Sequence, residues 1–127
     1  MRRRAQRAVP EYCDGAFTLY DIVEGKPDPS SPDYRPKVIR PCGIAPIWYR
    51  EIAVYDRTRA VLEQTGREVT HKIRVPAWDG ITTDCVVKIG DEQHKVYNVA
   101  RIISAEGFPE LELTLINPEA RYEEVDG

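Results

Sequence analysis

Reactive side chains are scarce in this 127-residue chain, which holds two histidines, three cysteines and one methionine. Cys13, Cys42 and Cys85 are odd in number and far apart, with no CxxC pair. That spacing excludes a disulfide scaffold, makes a cysteine-bound metal improbable, and fits reduced, packed thiols in a cytosolic setting. No apolar run approaches the roughly 20 residues of a membrane-crossing helix. The basic opening, MRRRAQRAVPEYCDG, is not followed by an apolar stretch, so it does not read as a secretory signal. Net charge is −3 with 31% charged residues, so the chain is not globally basic. At this length one domain and one core are expected.

Catalytic patterns are missing as well. No serine lies in a GxSxG setting and no cysteine has an evident histidine partner. Gly90 suits a turn and not a phosphate cradle, and the WD pair at 78–79 stands alone. Glu110 and Glu112 flank Leu111 as residues of a wet strand face do, while Asp79, Asp84 and Asp91 sit where aspartate serves turns. No two acids are spaced to converge on a cleft. The expectation is a non-enzyme with no cofactor, no metal ligands and no catalytic residues.

What the chain does have is strand rhythm. FTLYDIV (17–23) is rich in aromatic and β-branched types and predicts a first strand. The next stretch, 24–36, carries four prolines and predicts a long exposed loop. KVIRPCGI (37–44) predicts a short strand. In IWYREIAVYDRTRAVLEQ (47–64), Trp48, Ile52, Tyr55 and Leu62 recur at three- and four-residue steps, which predicts a helix or a partly unwound segment ending near Gly66. From Glu68 the period drops to two, with Val69, His71, Ile73 and Val75 on one face. That pattern alone accounts for His71 as a strand-face histidine, while His94 falls at a turn edge where solvent is the default. DCVVKI, GDEQ and HKVYNVARII predict a hairpin that pairs Val87 with His94 or with Val96, depending on loop length. The second hairpin strand is apolar on both faces, with Val96 and Ala100 on one and Tyr97, Val99 and Ile103 on the other. LELTLI (111–116) points Leu111, Leu113 and Leu115 inward, and the acidic tail after Asn117 is expected to be loose.

The resulting expectation is a mainly β fold. It is a small antiparallel barrel or sandwich of about six strands, with one helix or long loop between the second and third. Residues 1–10 form a basic segment, 11–118 the barrel and 119–127 the tail. Arg2, Arg3, Arg4 and Arg7 could touch phosphates or form a loose basic end. Trp48, Tyr49 and Tyr55 suit either a subunit interface or an ordinary core.

The order of these pieces, with VTHKIRV, VVKIGDEQHKVYNV and EYCDGAFTLYDIV at their places, resembles the phage head–tail adaptor proteins. These are also called head completion or head closure proteins, and belong to long-tailed siphophages and related prophages. The likeness covers roughly residues 11–118; the long proline-rich loop and the tail depart from it. It implies a β-barrel without enzymatic activity or cofactor, assembled in a six- or twelve-fold ring beneath the portal in the virion neck. The implied partners are other copies, the portal or another connector protein, and a tail terminator or tail tube protein. Packaged DNA would lie nearby, no membrane is involved, and assembly would take place in the host cytoplasm. Intersubunit or portal contacts would fall on Trp48, Tyr49, Ile52, Tyr55, Arg59 and Leu62, and on Tyr34 of the loop. A channel contact would fall on the four arginines. The competing expectation is a small barrel of OB or SH3 style that binds nucleic acid or a protein partner.

Overall fold

Short runs of β-branched and aromatic residues form seven strands in the computed structural model, which describes residues 11–27, 29–31, 33–52 and 68–126. They are β1 (Gly15–Glu24), β2 (Lys37–Pro41), β3 (Ile47–Glu51), β4 (Val69–Pro76), β5 (Cys85–Ile89), β6 (Glu92–Ile103) and β7 (Pro109–Ile116). Six of them close into an antiparallel barrel in the order β1–β3–β4–β7–β6–β5, with β5 returning to β1. Closure removes the two raw edges that an open sheet of this size would leave. The seventh strand, β2, pairs with β1 alone among the strands. β2 and β3 follow one another along one edge of β1, from the Glu24↔Lys37 pair to Gly15↔Tyr49, interrupted by residues 42–46.

The mainly β barrel expected from the sequence is therefore present, and the first residues of the expected helix are strand instead. Residues 47–51 are strand β3, and positions 53–64 of that stretch lie outside the described residues. Over so few residues a three-to-four spacing and an alternation cannot be told apart. Tyr49 turns in and Trp48 turns out, as a strand requires. No helix occurs among the described residues, and so none is long and apolar enough to cross a membrane.

The lumen is filled with side chains. Phe17, Leu19, Tyr49, Ile73, Val75, Val87, Val96, Leu111, Leu113 and Leu115 form one buried cluster. Each such side chain contributes roughly 1.5–3 kcal/mol by leaving water. The β5–β6 hairpin uses the two-residue loop Gly90–Asp91, which pairs Val87 with His94. Gly90 has φ 60° and no described non-glycine residue has positive φ, as a II′ turn with glycine first demands.

Two β-bulges correct the facing read from the sequence. One falls between Val96 and Asn98, so Val96 and Val99 both pair with inward leucines, Leu115 and Leu113, while Tyr97 is left outside. The expected pairing of Val96 with Ala100 on one face is thereby overturned. The other bulge falls between Val69 and His71. It places His71 opposite Leu115 and moves Val69 opposite Ile116, on the reverse pleat.

The tail is docked, contrary to the expectation of a loose end. Gln93 is buried, donates from Nε2 to the Tyr122 carbonyl at 2.9 Å and accepts from the Tyr122 N–H at 2.8 Å. Its amide thus imitates a strand partner. Lys88 Nζ holds Glu124 at 2.8 Å, and Ile39 of β2 exchanges backbone hydrogen bonds with Glu123 and Val125 at 2.9 Å each.

Candidate functional site

Antiparallel register sorts the strand termini into two barrel ends of different chemistry. One end collects the last residue of β3 and the first residues of β4 and β6. Glu51 pairs with Ile73, His71 with Leu115 and His94 with Val87, so all three occupy inward-facing positions. The opposite end collects the start of β3 and the end of β4, where Ile44, Ala45, Ile47, Pro76, Ala77, Trp78 and Ile81 line a groove of about 420 Å³.

At the polar end His94 is 3% exposed, which corrects the expectation of a solvated turn-edge residue. Its Nδ1 lies 2.8 Å from Thr70 Oγ1, and that hydroxyl also lies 3.3 Å from the Leu115 carbonyl. A hydroxyl has one proton. Given to Leu115, it leaves Thr70 to accept from His94 Nδ1–H, and the second ring nitrogen, Nε2, then carries a lone pair. Nε2 approaches Glu92 Oε2 to 3.4 Å without the alignment of a hydrogen bond, and is a buried nitrogen with no hydrogen-bond partner among the described residues. Burial, followed by the neighbouring His71, holds the His94 imidazole below its ordinary pKa, against a smaller pull from Glu92. The His94 ring is therefore biased towards the neutral form.

His71 stands edge-on to His94, with ring centroids 4.8 Å apart and planes at 88°. Its Nδ1 meets Glu51 Oε1 at 2.5 Å. His71 is thus the strand-face histidine that the alternation accounts for, bonded to the neighbouring strand. With Thr70, Glu92 and His94 it borders an open polar hollow of about 880 Å³, outside the packed lumen.

A second polar cluster lies on the outer surface. Glu110 is fully buried, which overturns its reading as a wet-face residue. It accepts from Tyr12 Oη and from Arg50 Nη2, both at 2.8 Å. Burial, reinforced by that carboxylate, pushes the Tyr12 phenol up to about 12 and keeps its proton in place. Glu112 joins Lys72 at 3.0 Å and Arg74 at 3.1 Å. Arg101 pairs with Asp79, and Lys88 with Glu124. Four strand cations, Lys72, Arg74, Lys88 and Arg101, are thus engaged by carboxylates.

The residues expected at interfaces are divided by the fold. Trp48 is 60% exposed on the outer side of β3, and Tyr34 is exposed on the loop before β2. Tyr49 is a core residue, its ring 6.1 Å from that of Phe17. Ile52 is half-buried. Tyr55, Arg59 and Leu62, and likewise Arg2, Arg3, Arg4 and Arg7, lie outside the described residues. Ile103, which the sequence places on the second apolar face of its strand, is 74% exposed, whereas the sequence missed Trp78 and Ile44, both exposed large apolar residues. Their signal was apolar residues within turn-like segments, which strand patterning passes over. The sequence also missed the pairing of His71 with His94, for which no local signal exists. Cys42 and Cys85 both lie by Asp21, and burial first, then that carboxylate, pushes the Cys42 thiol up to about 12.

A scan against protein-family models and a search of curated proteins found no match to this chain.

Proposed function

We propose that the chain is a structural subunit of a phage neck, a head–tail connector protein that forms a ring under the portal and joins the filled head to the tail. The observation that supports this reading is exposed apolar surface, including both tryptophans, on a closed barrel. Trp48 stands on the outer side of β3, and Ile44 and Trp78 border the groove at the apolar end. A ring is built from heterologous contacts, in which one patch meets a different patch on the next copy. Exposed tryptophans with apolar neighbours are the usual anchors of such contacts. The motif resemblance across residues 11–118 supplies the connector, the portal and the virion neck. The ring order, the tail-side partner and the nearness of packaged DNA belong to the same reading.

The test is electron microscopy and gel filtration of the chain with and without its cognate portal particles. Ring density on the portal is expected, and Trp48→Glu and Trp78→Glu should each abolish it. A protein that stays monomeric and ignores the portal would overturn the proposal. The competing nucleic-acid reading is weakened by the ion-paired strand cations. Tight binding in a fluorescence titration with single-stranded DNA at moderate salt would restore it.

A further inference from the structure

We propose that the polar end of the barrel is a binding site for a divalent transition-metal ion, zinc by preference, with His71, His94 and Glu92 as protein ligands. This inference does not depend on the connector reading. One ring nitrogen from each histidine and a Glu92 carboxylate oxygen all lie within 4.8 Å of one another. His94 Nε2 and Glu92 Oε2 are 3.4 Å apart. Zinc bonds to nitrogen and oxygen of about 2.0–2.1 Å give a tetrahedral edge of about 3.3–3.4 Å, so this pair already has ligand spacing. Glu92 is 78% exposed at its side chain and begins β6 beside the turn, so it can follow an ion without disturbing the core.

The protonation pattern suits the same ion. With the Thr70 hydroxyl donating to the Leu115 carbonyl, His94 carries its proton on Nδ1 and leaves Nε2, a deeply buried nitrogen, as an acceptor facing a carboxylate. In that arrangement a cation between the two acceptors satisfies both. On His71, Glu51 engages Nδ1 and leaves Nε2 to ligate. A carboxylate on the far nitrogen is the outer-shell partner that orients a metal-bound imidazole. Two imidazoles and one carboxylate select borderline ions such as zinc, cobalt or nickel over magnesium or calcium. A fourth position would open to the polar hollow. The ion would tie β4 to β6 across the end of β7, which pairs with both.

Isothermal titration of the metal-free full chain with zinc chloride should show one ion per chain, and the melting temperature should rise with zinc and fall back with chelator. His71→Ala should weaken binding by about 100-fold or more. Glu51→Gln, a positioning change, should weaken it by about 10–100-fold. Glu92→Ala, an exposed substitution expected to leave the fold intact, should weaken it at least tenfold. Cobalt(II) should give the visible absorption of a nitrogen–oxygen tetrahedral site in the parent and lose it in His71→Ala. Failure of the folded parent to bind zinc at 100 micromolar, or equal binding by parent, His71→Ala and Glu92→Ala, would overturn the proposal.

Discussion

The two ends of the barrel are made by the same strands and differ in what the register brings to them. At one end Glu51, His71 and His94 take inward positions that Tyr49, Ile73 and Val96 fill a residue pair deeper. At the other, Ile47 and Ile81 continue the core into a groove roofed by Trp78. Packing explains the buried part of the apolar end, Ile81 and the half-buried Ile47. The polar end carries a buried nitrogen that packing alone would not leave unpartnered, and such groups are rare in native proteins. A barrel needs only its middle to be dry, so its ends are free to carry other chemistry.

The largest effect should come from the middle that both ends share. Leu113→Ala is expected to lose about 3 kcal/mol in chemical denaturation, because the closed sheet cannot collapse onto the cavity. Glu110→Ala comes next, at about 2 kcal/mol, since it strands the partly buried Arg50, whose Nε already lacks a partner among the described residues. A loss under 0.5 kcal/mol there would mean that the outer charge cluster adds nothing. Gly80→Ala probes the apolar end alone. A Cβ at that position would run into the Trp78 ring, so a loss of about 1–2 kcal/mol and altered tryptophan emission in a Trp48→Phe background are expected. The polar end should be indifferent to that change, and zinc titration of the variant checks it.

Smaller effects concern the flanks. The hydrogen bond from Lys88, ahead of any other cause, holds the Glu124 carboxyl below its ordinary value of 4.5. A carboxyl whose folded pKa is depressed contributes stability that is fully present above the unfolded value and is lost as pH falls through the folded one. The tail should therefore loosen below about pH 4.5, followed by proteolysis after Arg121 or by amide exchange at Val125. Glu124→Gln should remove that acid step. Finally, alkylation of the native chain at pH 8 should modify Cys13 first, the exposed thiol, and spare Cys42 and Cys85 until unfolding. Mass spectrometry of the labelled peptides gives the order.

Much of the barrel was legible because alternation is a local property: FTLYDIV, VTHKIRV and LELTLI became β1, β4 and β7 with shifts of a few residues. The inward leucines 111, 113 and 115 were legible for the same reason. The two bulges were not, because one extra residue reverses the parity of everything after it without altering composition. That reversal is why Val99 was assigned away from Val96. His94 was misplaced because a turn edge and a barrel mouth share one local pattern. Glu110 looked wet because its partners, Arg50 and Tyr12, stand 60 and 98 residues away. Gln93 gave no hint of a clamp, since an amide matches a backbone only once the fold presents one.

The short strand beside β1 has its own vulnerability. Where Ile39 looks away from the barrel, its N–H and C=O are matched only by Glu123 and Val125. Trimming the chain ahead of residue 123 would bare a hydrogen-bonding ledge on which an extended peptide could lie down. A fused tag placed hard against the last residues would strain the same seam, so a long flexible spacer is the safer way to label this end.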